Sequence, residues 1–459
     1  MPTRVLVVGA GGREHALAWK LARSSSVDEV IAAPGNPGME DIGECITVDA
    51  NDANAVAYLA DKVDAALVVV GPEEPLVHGV ADAVRARGRA CFGPSAAAAQ
   101  LEGSKAFMKD VLVAAGVPTA RHAVFQAGQE SDAAAFLDTL DGRYVVKTNG
   151  LAAGKGVVVT GHRAEAVDAV GSYLSGAAFG DAGRTCVIEE RLDGPELSLF
   201  ALCAGTDALV LGCAQDHKRI GDGDTGPNTG GMGAFAPTPV VTDALVAEVM
   251  DRAILPTLDE LTRRGAEYHG VLYCGLMLTS NGAKVLEYNV RFGDPECQVL
   301  VRRIESDLFA HLHESATGRL LTPVRETDDA ALVVVLASER YPASPRTGDP
   351  IEGLDAAGAR DGVVVFHAGT RRDGDDIVTA GGRVLGISAT GRDVHEARAA
   401  AYAAIDDISW PGMQFRSDIA EAMMRQASES DGGAIRRGAS GASVQTPLGA
   451  RAAGERGWR

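Results

Sequence analysis

One short run, Glu287-Tyr-Asn-Val-Arg-Phe-Gly-Asp-Pro-Glu296, constrains this chain more than any other. Two apolar runs precede it, at 273–279 and 284–286, and Asn281-Gly282 between them is a two-residue hairpin signal. The second run therefore continues as a strand into Glu287. Side chains alternate along a strand, so Glu287, Asn289 and, while the chain stays extended, Arg291 share one face. That face offers a carboxylate and an amide oxygen suited to hard Mg²⁺, beside a guanidinium suited to phosphate. Asp294-Pro295-Glu296 then reads as the N-cap, first residue and first-turn acid of a helix. Its free N–H groups would face any nearby anion. The plainer alternative is a strand-to-helix connection carrying ordinary surface charges.

The chain has 459 residues, too many for one core, which implies two to four domains. A formal net charge of −19 argues against binding nucleic acid or a membrane surface, and it makes clustered Lys and Arg informative. Seven cysteines without a CxxC pair suggest reduced thiols in a cytoplasm. The first residues lack the apolar run of a signal peptide, and no stretch reads as a membrane span.

From the start, 4–8 is a short buried strand, and Gly9-Ala-Gly-Gly-Arg-Glu-His15 leads into a helix. The dinucleotide fingerprint is incomplete, because Glu14 stands at its third glycine and no acid follows the next strand, at 30–33. Further strands at 65–70 and 89–92 also end in Gly/Pro loops. All four loops then fall at the carboxyl edge of one Rossmann-like parallel sheet, where ligands bind. Residues 95–115 read as two helical pieces interrupted at Gly103. Lys105 falls in the first turn of the second, a poor place for a cation that serves only helix stability.

Strands at 144–147 and 157–160 flank Thr148-Asn-Gly-Leu-Ala-Ala-Gly-Lys-Gly156. This is not a Walker A loop, since Lys155 precedes glycine and the loop joins two strands. It can fold over a triphosphate as a flap, with backbone N–H groups and Lys155 toward phosphate; a merely exposed hairpin is the alternative. The strand at 186–191 carries Glu189 and Glu190, and Glu196 opens the next. Such strand-end acids suit a purine amine and ribose hydroxyls. Residues 215–233 read as a long, polar, structureless loop, functional by its density of charged groups. An amphipathic helix is expected over 242–264. From about 325, short strands at 331–338, 362–367, 377–380 and 383–390 and a helix at 394–405 suggest a small α+β domain without concentrated polar chemistry. The Gly-, Ser- and Arg-rich end reads as a disordered tail.

In order, Gly9-Ala-Gly-Gly-Arg-Glu-His-Ala16, Gly71-Pro-Glu-Glu-Pro-Leu76, Gln100-Leu-Glu-Gly-Ser-Lys105 and Gly150-Leu-Ala-Ala-Gly-Lys-Gly156 resemble the phosphoribosylamine–glycine ligase family. So do Gln215-Asp-His-Lys-Arg219, Asp224-Thr-Gly-Pro-Asn-Thr-Gly-Gly-Met-Gly233, Arg291-Phe-Gly-Asp-Pro-Glu296, Phe366-His-Ala-Gly369 and Gly381-Gly-Arg-Val-Leu385. The resemblance spans about residues 3–425. The family, also called glycinamide ribonucleotide synthetase, is of the ATP-grasp superfamily and serves purine biosynthesis. Thr148-Asn149 stands where Ala-Asp is expected.

The resemblance implies an α/β and α+β multidomain fold. A Rossmann-like N-terminal domain would span 1–103, and an ATP-grasp domain 104–325, with a lid at about 119–192. A C-terminal α+β domain would follow at 326–425, then the tail at 426–459. It implies a cytoplasmic monomer that joins glycine to 5-phosphoribosylamine with ATP and Mg²⁺ or Mn²⁺, through glycyl phosphate. Lys105, Lys147, Gly154, Lys155, Gly156, Glu189, Glu190, Leu192 and Glu196 would contact ATP, and Glu287 and Asn289 the metal. Gly11, Gly12, Arg13, Asn36, Glu74, Asp216, Lys218, Asn228, Gly230, Arg291, Asp294, Pro295 and Glu296 would meet the other substrates. Arg291, Lys147 and Lys105 would screen the reacting charges. The preceding strand, Gly275-Leu-Met-Leu278, offers no further metal carboxylate. Rival readings are another ATP-grasp ligase such as a carboxylase, a non-catalytic nucleotide-binding protein, and a dinucleotide-dependent reductase.

Overall fold

The computed structural model describes residues 2–152, 156–178 and 184–430. Gly154, Lys155 and the tail from 431 onward, all named above, lie outside the described residues.

Five strands, β1 (Arg4–Gly9), β2 (Glu29–Pro34), β3 (Glu44–Cys45), β4 (Leu67–Val70) and β5 (Cys91–Phe92), form a parallel sheet ordered β3-β2-β1-β4-β5. The near-continuous apolar runs of β1 and β4 are buried, as a parallel sheet covered on both faces requires. Strand order reverses between β1 and β4, and the loops after those two strands meet there. Glu14 fills the crevice. A Cβ on Gly71 would lie 2.1 Å from its Oε1, and one on Gly9 2.5 Å from its Cγ. Its carboxylate accepts from Gly11 N and from Arg13 Nε, both at 2.6 Å. A buried anion thus sits where a pyrophosphate would have to approach, which gives the incomplete fingerprint a physical cause.

Four strands, β6 (His122–Gln126), β7 (Tyr144–Thr148), β8 (Val157–Thr160) and β9 (Thr185–Glu190), form an antiparallel sheet ordered β6-β9-β7-β8. It has an apolar cluster of its own, including Phe125, Leu137, Tyr144, Val146, Tyr173 and Ile188.

The largest sheet contains β10 (Glu196–Ala204), β11 (Asp207–Asp216), β14 (Gly233–Ala236), β15 (His269–Thr279), β16 (Gly282–Asn289), β17 (Ala330–Ala337), β18 (Val363–His367) and β21 (Arg383–Gly391). Its order is β16-β15-β10-β11-β14-β17-β21-β18. The boundary expected at 325/326 therefore falls inside one continuous sheet, because β17 pairs with β14. Two apolar clusters join this sheet to the N-terminal one. Leu6, Val68 and Leu112 pack with Leu199 and Tyr288 in one, and Val7 and Leu17 with Tyr273 and Leu300 in the other.

Several expectations need correction. Residues 215–233 are not structureless: β12 (Arg219–Gly221) and β13 (Thr225–Asn228) make a hairpin. Its strands have little β propensity, and the grip comes from elsewhere. Buried Arg416 donates to Arg219 O at 3.3 Å and to Asp224 at 2.6 Å, while Ser417 N donates to Asp222. The helix over 242–264 is broken into Asp243–Val249, a π-helical turn at Met250–Ile254, and Leu255–Arg263. Pro256 has no N–H for the carbonyl four residues back and its ring crowds that carbonyl, so the ladder widens. The strands β3, β19 (Thr370–Asp373) and β20 (Asp376–Thr379) complete the set; the first two of these have no counterpart in the sequence reading. At the far end, the helix Glu421–Ser430 runs past 425 into the stretch expected to be a tail. No helix among the described residues is long and apolar enough to cross a membrane.

Candidate active site

The expected hairpin of β15 and β16 forms, but its two turn residues are Ser280 and Asn281, with Gly282 at φ +98° already paired to Thr279, and Glu287 pairs with Gly275 across it. Next to that glycine the Glu287 carboxylate has room. No hydrogen bond or ion pair engages it among the described residues, although it is only partly exposed. Burial alone would raise its proton affinity. Lys218, Lys147, Lys105 and Arg291 outweigh burial and hold it below the usual carboxylate range. A free, ionised carboxylate encircled by four cations from separate elements is the centre of the site.

Lys105 is the first residue of the helix Lys105–Ala114 and donates to Gly150 O at 3.2 Å. Burial lowers its proton affinity, with Glu287 opposing. Asn149, the departure noted in the sequence, ties the base of the glycine-rich loop to this helix. Its Oδ1 accepts from Ala106 N at 2.8 Å and from Ser104 Oγ at 3.0 Å. At the described end of that loop, a Cβ on Gly156 would lie 2.2 Å from Thr148 Cγ2, so only glycine fits. Lys147, near the end of β7, reaches Leu286 O at 3.3 Å and Glu189 Oε1 at 3.1 Å. The Glu189 carboxylate was expected at a purine or ribose. It points inward instead, between Lys147 and the buried Lys109, so its outward contribution is its main chain. Glu190 faces out, and its Oε1 accepts from Lys284 Nζ and from Arg121 N, each at 3.0 Å. Leu192 follows on the connection to β10.

Arg291 is clamped on two sides. Its Nε donates to Glu73 at 3.0 Å and an Nη to Glu102 at 2.7 Å, and the same Nη reaches Asn289 Oδ1 at 3.2 Å. Burial works against its charge, but Glu102 and Glu73 raise its proton affinity well beyond the usual value. Glu73 is held down at about 2, since Arg291 and Arg13 overcome its burial. Glu102, more deeply enclosed, is pushed up to about 7 by burial. Glu73, not the exposed Glu74, therefore turns into the site. Arg13 donates to Phe292 O at 3.0 Å and so joins the Gly11-Gly12 loop to the same network.

Asp216, Lys218, Glu196 and Glu296 form a second patch beside Glu287. Lys218 pairs with Glu196 and lies 4.0 Å from Asp216. Burial would lower the Lys218 proton affinity, but Asp216 and Glu196 raise it well above normal. Burial pushes Asp216 up to about 7. The helix after β16 starts at Cys297, later than expected, with Glu296 at its cap and Asp294-Pro295 in the preceding turn. It is short, and its entrance already holds acids: Glu296 is buried, and Asp294 pairs with Arg383 at 3.2 Å. The expected anion seat on this helix is thus absent. Pro295 abuts Gly231, where a Cβ would lie 2.5 Å from its ring, and Gly230 N donates to Tyr341 Oη at 3.1 Å. Asn228 stays exposed on the hairpin.

Asn36 has no side-chain group to spare. Its Oδ1 caps Gly38 and Met39, and its Nδ2 donates to Ala10 O and His367 O. Arg383 and His367 also show that the last domain brings polar groups to the site, contrary to expectation. Glu73, Glu102 and Arg383 lie inside sequence motifs already singled out, so the signal was present but assigned to neighbours. Lys109, one helical turn beyond Lys105, carried no signal that separates it from a surface lysine.

Glu287 and Asn289 are the oxygen donors that fit a hard divalent cation. Among the described residues no group of three or more His, Cys, Asp or Glu could hold a metal alone. The remaining ligands would come from phosphate and water.

Three family models match successive stretches: the phosphoribosylglycinamide synthetase N domain at residues 3–102, its ATP-grasp (A) domain at 103–297 and its C domain at 331–422. The phosphoribosylamine–glycine ligase of Caulobacter vibrioides is 51% identical over 425 residues, covering 92% of this chain and 99% of the relative. The crystal structure of the Thermotoga maritima phosphoribosylamine–glycine ligase superimposes with a TM-score of 0.80 at 32% identity, covering 91% of this chain and 100% of that one. A likeness of fold alone, at 18% identity and a TM-score of 0.68, links it to a biotin carboxylase domain from Hydrogenobacter thermophilus solved with MgADP, covering 90% and 92% of the two chains. Matched in all three parts and along nearly the full length of its relatives, the chain belongs to the phosphoribosylglycinamide synthetase family.

Proposed function

We propose that this protein joins glycine to 5-phosphoribosylamine, converting ATP to ADP and phosphate, through a glycyl phosphate intermediate. The carrying observation is the Glu287 carboxylate, unpaired among the described residues, within the field of Lys105, Lys147, Lys218 and Arg291. Glycine's carboxylate is already ionised at neutral pH, so its attack on a phosphoryl group needs no general base. The step needs several negative charges brought together and screened. One unit-charge pair at 4 Å is worth roughly 4 kcal/mol at an effective dielectric near 20. Four converging cations contribute to that screening, reduced by the carboxylates that Lys147, Lys218 and Arg291 each pair with.

Glu287 and Asn289 would hold magnesium or manganese, which when bound adds positive charge beside the phosphate oxygens. Lys105 and Lys147 would bind the phosphates. Arg291, fixed by Glu73 and Glu102, would orient the carboxylate. Glu190, Leu192 and Glu196 would line the nucleoside, with Gly154, Lys155 and Gly156 over the phosphates to exclude water. Gly11, Gly12, Arg13, Asp216 and Lys218 would meet the ribosyl amine. The reading has the protein act as a monomer on small molecules in the cytoplasm, the compartment being in keeping with its seven unpaired cysteines.

An ADP-release assay with each substrate omitted in turn tests it. Full release should require ATP, glycine and phosphoribosylamine together. Full release without glycine, or with bicarbonate in its place, would reject this activity and favour a carboxylase.

A further inference from the structure

Lys109 has no exposed surface, and its Nζ lies 3.2 Å from Glu189 Oε1. Lys147 Nζ lies 3.1 Å from the same oxygen. Lys109 also donates to Thr119 Oγ1 at 2.7 Å, and that hydroxyl donates to Val285 O on the strand that carries Glu287. All three charges are buried, which is costly. Charge counting gives the arrangement a purpose. Glu189 with Lys147 alone sums to zero, whereas the triad sums to one positive charge. Burial lowers the Lys109 proton affinity only to about 8, with Glu189 supporting the charge and Lys147 opposing it, so the ammonium persists at neutral pH.

We propose that Lys109 is a positioning residue for the nucleotide: it shares the Glu189 carboxylate, so Glu189 fixes Lys147 in place without cancelling the charge that Lys147 presents to phosphate. The proposal rests on the reading of Lys147 as a phosphate contact. Glu189 is then a buttress common to two lysines. The helix that bears Lys105 and the strand that bears Lys147 are coupled through it.

Calorimetric titration of the full chain with MgATP at neutral pH tests this in three variants. Lys109→Gln should weaken binding about tenfold, the scale set by losing one unit charge near a bound anion at an effective dielectric near 20. Lys109→Gln/Glu189→Gln should regain most of that loss, because a neutral amide at position 189 no longer draws on Lys147. Denaturant titration of the same variants separates a structural role, which would restore binding only in step with stability, and a double variant as weak as the single would overturn the proposal. Lys147→Ala is the control and should bind weakly. If it binds like wild type, the reading of Lys147 fails and the proposal falls with it, a result distinct from failed rescue. Should Lys109→Gln not fold by circular dichroism, the double variant, which buries neither charge, decides alone. Binding within about threefold of wild type supports the inference, and a loss matching Lys147→Ala overturns it.

Discussion

The four-stranded sheet β6–β9 and the hairpin β15–β16 both deliver charge to one site, yet they are anchored in opposite ways. The hairpin lies in the large sheet, whose apolar clusters also contain the N-terminal sheet. Its charged residues stand on a frame held by packing. The smaller sheet closes around a separate cluster, and its site residues touch the frame through polar contacts: Lys147 to Leu286 O, Glu189 to Lys109, and Glu190 to Lys284. A bound polyanion can reinforce the charges of the buried contacts, and it can reach the part-exposed Glu190–Lys284 pair directly. Damage to the frame should therefore appear as lost catalysis or stability, and damage to the smaller sheet as lost affinity.

The largest effect belongs to the frame. Glu287→Gln should reduce turnover by roughly a hundred- to a thousandfold, the scale of removing one preorganised electrostatic group. Its melting temperature should stay near that of wild type, since no hydrogen bond or ion pair of Glu287 is broken among the described residues. Near-normal turnover at ordinary magnesium would break the comparison at its centre. Glu102→Ala should cost about 3 kcal/mol in a denaturant titration, because it leaves buried Arg291 without one of its partners. A loss below about 1 kcal/mol would show that the frame does not depend on that clamp.

A pH series sharpens the picture of how the N-terminal sheet is fastened. Buried His15 packs against half-buried His367, with His367 N donating to His15 Nδ1 at 2.8 Å. Burial lowers His15 to about 3 and His367 to about 4. Unfolded histidines take up protons near pH 6.5, before the folded ones do. Stability is therefore complete above about 6.5 and should fall as pH drops toward 4 and then 3. His15→Gln should flatten this acid limb, as read by melting temperature against pH, and an unchanged limb would assign it to other groups. The smallest effect is at the edge of the smaller sheet. Lys284→Ala removes a part-exposed pair with Glu190 and should change stability by less than about 1 kcal/mol. A larger loss would mean that the two regions are fastened alike.

The sequence made local features plain and long-range ones obscure. The parallel sheet, the hairpin of β15 and β16 (though not the exact pair of turn residues) and the break between the helices at 96–103 and 105–114 follow from apolar runs and turn residues acting over a few positions. The hairpin at 219–228 did not show, because Arg416, nearly two hundred residues away, holds it. Asn36 and Glu189 look like ligand contacts until their distant partners, His367 and Lys109, are seen to occupy them. In the Gly71-Pro-Glu-Glu motif, only the direction of the chain after β4 decides that Glu73 turns inward and Glu74 outward. The same limit hid the pairing at the Cys297 helix, where Arg383 from the last domain takes Asp294.

Activation of a carboxylate by ATP within this cluster of cations can be followed atom by atom. Glycine carrying heavy oxygen in its carboxylate, turned over with ATP and phosphoribosylamine, should pass one labelled oxygen into each inorganic phosphate, read by mass spectrometry. Phosphate released without the label would mean that no acyl phosphate forms, and would contradict the role assigned to Glu287 and the four cations around it.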